Sequence, residues 1–204
     1  LTDNVMVWAV YSEGYRVGGV NRARGEPTLP LEHGPDIIEN MELGIKSSFM
    51  DDTVQVNATI YEMAWKDMQL ELTDPSFSLS PPQPWQAVVA NLGDAEVSGM
   101  DLDVTALLAD NLQVGFNITK MFHAYVNPME TYPDPRFEGG LAPLGLEPQA
   151  DLPFFADMSY SMYIDYSDNM EIMGLNGELS ARMQHSYEGE SLNQLGYGDA
   201  APRQ

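Results

Sequence analysis

The chain reads as all-β: an antiparallel up-and-down meander of about seven long strands, of the kind that builds a transmembrane β-barrel. Three observations carry that reading. Apolar and polar residues alternate with period two along most of the chain, no segment has comparable helical periodicity, and short connections alternate strictly with long ones.

The strands follow in order, at 5–17, 37–49, 54–70, 87–108, 112–125, 153–166 and 171–187. In the second, Ile37, Met41, Leu43, Ile45 and Phe49 share one face, opposite Asn40, Glu42, Gly44, Lys46 and Ser48. In the third, Val54, Val56, Ala58 and Ile60 oppose Gln55, Asn57, Thr59 and Tyr61. The fourth sets Met100, Leu102, Val104, Ala106 and Leu108 against Asp101, Asp103 and Thr105, and the fifth sets Leu112, Val114, Phe116 and Ile118 against Gln113, Gly115, Asn117 and Thr119. The sixth runs Phe154, Ala156, Met158, Tyr160, Met162, Ile164, Tyr166 on one face, and the seventh places Leu175, Leu179, Ala181 and Met183 together. Several of these exceed the usual globular strand of about five or six residues.

Met50–Thr53, Ala109–Asn111 and Ser167–Met170 read as short turns, because Asp and Asn bond their own backbone and tolerate left-handed φ. The connections at 18–36, 71–86 and 126–152 are long and hold most of the prolines. A meander with this alternation has all its short turns at one end and all its long loops at the other, the asymmetry of an outer-membrane barrel. Aromatic residues near strand ends fit headgroup belts: Tyr11, Tyr15, Phe49, Trp65, Phe122, Tyr125, Phe154 and Tyr166. The competing arrangement is a soluble sandwich whose apolar face meets a second sheet. Its weak point is a long sheet without obvious edge protection.

Composition narrows the partners. The 204 residues carry 31 acidic and 9 basic side chains, a formal charge of −22. That argues against nucleic acid, which needs a basic footprint. With no cysteine, disulfides, thiolate metal sites and thiol nucleophiles are excluded. His33, His123 and His185 are scattered without metal-ligand spacing, so no metal and no cofactor is expected. Asp101 and Asp103 share a strand face and read as a solvated wall rather than a glycosidase pair. The sequons at Asn57 and Asn117 fall mid-strand and are discounted; no phosphate loop or nucleophile elbow appears. The chain is therefore not expected to be an enzyme.

Four strings in fixed order carry a family resemblance over about residues 4–105. Glu13-Gly-Tyr-Arg-Val-Gly-Gly-Val-Asn21 resembles the Gly-Tyr-Arg-x-Gly-Gly-x-Asn segment of TonB-dependent outer-membrane receptors. Glu39–Ser47 is similar to their Glu-x-x-Glu-x-Gly-x-Lys strand, Val56–Tyr61 with Trp65–Gln69 to their strand ending Trp-x-Asp-Ile-Gln, and Asn91–Asp101 to Asn-x-Gly-x-Ala-x-x-x-Gly-x-Glu. The resemblance implies a partial barrel domain over 1–204, incomplete at both ends, from the later part of a barrel of about 22 strands. It implies residence in the Gram-negative outer membrane and contact with its lipid. It also implies active import of a scarce ligand (a ferric siderophore, haem, cobalamin or a carbohydrate), driven by the TonB complex through a plug domain. A passive porin and a secreted glycan-binding sheet protein are the alternatives. Candidate ligand contacts are Arg16, Asn21, Arg22 and Arg24 in the first long connection, by charge-assisted and polar bonds, and Trp85 and Tyr132, by stacking. Against this, the arginines can simply balance Glu13, Glu26 and Glu32, and the aromatics can pack within loops.

Overall fold

Strand formation along this chain is dictated by its alternation. A computed structural model describes residues 4–21, 32–73, 87–91, 93–129, 131–133, 141–143, 148–153, 155–172 and 174–192. The strands are β1 (Val5–Arg16), β2 (Gly19–Val20), β3 (Glu32–His33), β4 (Asp36–Phe49), β5 (Val54–Lys66), β6 (Gln69–Thr73) and β7 (Ala87–Asn91). They continue as β8 (Gly93–Ala109), β9 (Leu112–Pro128), β10 (Thr131–Pro133), β11 (Leu141–Pro143), β12 (Ala150–Asp151), β13 (Met158–Ile172) and β14 (Leu175–Glu188). The main sheet has the order β1-β4-β5-β8-β9-β13-β14, with β12 beside β9, and every pairing is antiparallel. The meander read from the sequence is the meander observed.

Four boundaries differ, each for a local reason. The strand read as 54–70 breaks after Lys66: Asp67 takes φ 52° and its amide donates to Asp94 Oδ1 at 2.8 Å. The strand read as 87–108 divides into β7 and β8 near Gly93, whose φ of 142° suits glycine alone. Expected turn 167–170 is strand, because Asp168 and Asn169 pair with Leu179 and Glu178, and the reversal falls at Gly174 with φ 78°. Asn and Asp there satisfy the ladder with their backbones and leave the bend to glycine. Finally, the sixth strand begins at Met158 rather than 153, since residues 155–157 lie off the ladder. Phe154 lies outside the described residues. The turn after β4 agrees with the reading, with Met50, Asp51 and Asp52 all at φ between 53° and 65°. The long connections contain three small paired units not legible in the sequence: β2–β3, β6–β7 and β10–β11.

Register assigns each side chain to a face, because directly paired residues point the same way. One row of seven reads Val7, Ile45, Ala58, Leu102, Ile118, Tyr160, Tyr187. The opposite face at the same depth reads Met6, Lys46, Asn57, Asp103, Asn117, Ser161, Ser186. The apolar face is exposed, with Leu43, Ile60 and Met183 at 50%, 52% and 68%. Toward the long-loop end the two faces exchange character. The first face turns acidic at Glu13, Glu39, Glu62 and Glu96, and the second turns apolar at Met63, Trp65, Ala95, Val97 and Val126. The buried cluster of Met68, Ala95, Val97, Val126 and Leu152 lies there. A sandwich would keep one apolar face along each strand, whereas a bilayer covers only a band of it.

The edge of the band is a staircase. The first polar residue above it is Glu13 on β1 and Glu39 on β4, in one register row. It is Glu62 and Ser98 one row lower and Lys120 on β9 another row lower. Two rows are about four residues, dropped over the four strand spacings from β1 to β9. With a rise of about 3.3 Å and a spacing of about 4.8 Å, a level boundary then requires strands tilted by about 35°. That is the tilt of transmembrane barrels, about 35–45°.

Candidate functional site

The long-loop ends of β1, β4 and β5 are held by one carboxylate. Asp36 opens β4 above the apolar band and is 1% exposed. It accepts two bonds from Arg16 Nε at 3.0 Å, a short one from the Arg16 terminal nitrogen, one from Trp65 Nε1 at 2.8 Å and one from the Gln69 amide at 3.0 Å. Burial by itself would raise this carboxyl; bonds from Arg16, the Gln69 amide and Trp65 outweigh it and bring the pKa from 3.8 to about 2. The Arg16 guanidinium also donates to the Gln69 carbonyl at 3.0 Å and lies 4.8 Å from the Trp65 ring centroid. Trp65 therefore points to the apolar inner cluster and not to the headgroup belt that its position at a strand end suggests.

Three carboxamides extend this knot into the connections. Gln69 Nε2 donates to the carbonyls of Val17 and Gly34 at 3.0 and 2.9 Å. Asn91 accepts from the Gly34 amide at 2.7 Å and donates to the Asp67 carbonyl at 2.6 Å. Asn21 pairs with both backbone groups of Val89 at 2.7 and 2.8 Å, as a strand would. Val17, Asn21 and Gly34 are thereby stitched to Asp67, Gln69, Val89 and Asn91.

Below, the polar face forms a hydrogen-bonded wall: Asn57 to Asp103 at 3.1 Å, Thr119 to Asp101 at 2.6 Å and Ser161 to Asn117 at 3.2 Å. Aromatic rings on this wall lie over glycines of the neighbouring strand. A Cβ on Gly44 would stand 2.2 Å from Trp8, and one on Gly115 would stand 2.2 Å from Tyr163. Above the band on the outer face, Lys66 and Glu39 pair at 2.6 Å.

Of the residues singled out in the sequence, Arg16 and Asn21 enter this knot. Arg22, Arg24 and Trp85 lie outside the described residues, and Tyr132 is placed only by its pairing with Ala142. Asp36, Gln69 and Asn91 were missed as a group. The signal for two of them was present, since Gln69 and Asn91 are fixed letters of the motif strings, but no sequence pattern joins them to Asp36.

A family model for the TonB dependent receptor-like β-barrel matches residues 1–201. The chain belongs to that family. TonB-dependent receptor barrels lie in the outer membrane of Gram-negative cells. Among solved structures, the chain is similar to the ferric yersiniabactin uptake receptor FyuA from Yersinia pestis, at 18% identity and TM-score 0.69, covering 96% of this chain and 26% of that one. It is similar to the siderophore receptor PiuA from Acinetobacter baumannii, at 13% identity and TM-score 0.64, covering 95% and 25%. It is also similar to FpvA from P. aeruginosa in a pyoverdine-Fe complex, at 16% identity and TM-score 0.51, covering 100% and 23%. The chain thus spans about a quarter of the length of these structures. No curated protein sequence matches it.

Proposed function

We propose that this chain is barrel wall of a receptor that imports a scarce ligand across the outer membrane, with a ferric siderophore the favoured class and TonB as the energy source. The exchange of polarity along single strands carries the reading. On β8 the outer face passes from Glu96 and Ser98 to Met100, Leu102 and Val104, while the inner face passes from Ala95 and Val97 to Asp101 and Asp103. A wall of this kind has lipid outside, a wet interior, and a knotted rim carrying loops. The similar structures are a ferric yersiniabactin uptake receptor, a siderophore receptor and a pyoverdine-Fe complex, and this favours siderophores over haem or carbohydrate.

In this reading Arg16 and Asn21 hold the rim, and Arg22, Arg24, Trp85 and Tyr132 are the proposed ligand contacts. The wall performs no covalent chemistry. Deleting the gene for the full-length protein should abolish uptake of one labelled ferric chelate, and a protonophore should abolish it equally in the intact strain. Uptake that persists without the proton-motive force would favour the passive porin instead.

A further inference from the structure

The β13–β14 hairpin outruns the wall that carries it. Tyr166 pairs with Leu112, the first residue of β9, and past that pair β13 has no partner strand on the β9 side among the described residues. The ladder to β14 nevertheless continues without a register shift, from Ser167 with Ser180 to Ile172 with Leu175, six pairs in all. The band edge falls by about one residue per strand spacing, and the reversals after β8 and β13 lie two spacings apart. Tilt therefore accounts for about two of these pairs. The rest carry the hairpin about 11 Å past the level of the other short turns, at about 3.3 Å per residue and a tilt of about 35°.

The projecting part of β13 is an open edge. In an antiparallel strand each residue sends its amide and carbonyl to one side, and successive residues alternate sides. Asp157 O accepts from Met121 N and Ser167 N donates to Asn111 O, whereas Met158 O accepts from Gly189 N. Odd-numbered residues of β13 thus face β9 and even-numbered ones face β14. The amides and carbonyls of Asn169 and Glu171 consequently point into the space that β9 has left. Such edges are ordinarily blunted by proline, lysine or a bulge, and Ser167–Ile172 has none of these. A strand added beyond β14 would not cover this edge, which lies on the opposite side of the hairpin. The side chains select what fits. Glu171 is exposed and makes no hydrogen bond or ion pair among the described residues. Asp51, Asp52, Asp110, Asp168 and Glu178 share this end of the sheet, and Arg182 above them is held by Asp165 at 3.2 Å. Met170, on the face opposite Glu171, is 41% exposed. A second copy of this hairpin would set like charges against each other, whereas a basic strand would not.

We propose that the edge at Asn169 and Glu171 docks an extended basic segment of a periplasmic protein as an added strand. The segment's backbone completes the ladder at Asn169 and Glu171. A lysine or arginine meets Glu171 on the inner side, and its apolar neighbour in sequence lies beside Met170 on the outer side. The periplasmic placement rests on the barrel reading, in which the short turns lie on that side of the membrane.

The test uses the full-length protein in detergent micelles and a fluorescent, end-blocked Lys-Val-Lys-Val-Lys peptide, with binding followed by anisotropy. The wild type should bind it. Glu171→Gln should weaken binding about two- to fivefold, the range of an exposed ion pair. The same peptide N-methylated on every backbone amide keeps its charge but loses its donors, and should bind about tenfold more weakly or worse. Asn169→Pro removes an edge amide that β14 does not use, and should weaken binding to a similar degree. Heat-modifiable gel migration establishes separately that the wild type is a barrel and that each variant is folded. Equal binding of the N-methylated peptide would overturn the proposal, since the contact would then be charge attraction alone. So would equal binding by folded Asn169→Pro, or no binding by the folded wild type. None of these outcomes reads ligand uptake, so this site and the import reading stand or fall separately.

Discussion

Replacing Asp36 by alanine should open the rim without unfolding the barrel. Asp36 is 1% exposed and accepts from three separate groups, two of them the Trp65 indole and the Gln69 amide. Its loss orphans both donors, each worth about 1–3 kcal/mol when buried. It also strands Arg16, although half of that side chain is exposed and solvent screens it. Taking the lower part of these ranges, the local cost is about 3 kcal/mol, which corresponds to roughly a hundredfold in an opening equilibrium. Amide hydrogen exchange of the full-length protein reads this directly. The peptide containing Gln69 should exchange about a hundredfold faster in Asp36→Ala, and the β9–β13 peptides should not change. Asp36→Asn should fall between, since one carboxamide oxygen still accepts. The same bonds predict a pH window. The carboxyl is held down from 3.8 to about 2, so its contribution is complete above about pH 4 and is lost as pH falls toward 2. Wild-type exchange at Gln69, corrected for intrinsic rate, should accelerate across that window, and Asp36→Ala should show no such step. A less than threefold difference between wild type and Asp36→Ala at neutral pH would refute the role given to this carboxylate.

Other consequences are equally local. Ile45→Lys puts a charge on the exposed apolar face at mid-band and, if that face meets lipid as proposed, should cost about 2–4 kcal/mol in urea unfolding from bilayers, although Lys46 next to it is native on the inner wall. Gly115→Ala drives a methyl into Tyr163 and should cost about 1–3 kcal/mol; most of that should vanish in a Tyr163→Ala background, giving a coupling energy in a double-mutant cycle. Asn91→Ala should raise exchange at both Gly34 and the amides around Asp67, because one side chain ties both segments. Acceleration at only one of them would show that the two connections are held independently.

Much of the architecture is legible in the residues one at a time. Alternation along Val54–Ile60 or Met100–Leu108 assigns faces, since side chains on a strand can point only two ways. Turn chemistry at Met50–Thr53 placed one end of the meander, and the motif strings named the family that the comparisons bear out. Strand ends were harder. Asp168 and Asn169 have turn chemistry yet lie in a ladder, because pairing with β14 offers their backbones more than a bend does.

What only the tertiary structure decided is which side chains meet across the sheet. Arg16 is 20 residues from Asp36 and 53 from the Gln69 carbonyl, and nothing local encodes that they share a knot. The staircase at the band edge, and with it the tilt, needs register between strands. Phe122 stands without a counterpart only because β8 and β9 slip by one residue there. By itself the sequence determined strands, faces and family, because those follow from period and local turn chemistry. Register, bulges and the convergence of distant polar groups needed the assembled sheet, because they are properties of pairs of strands and not of either strand alone.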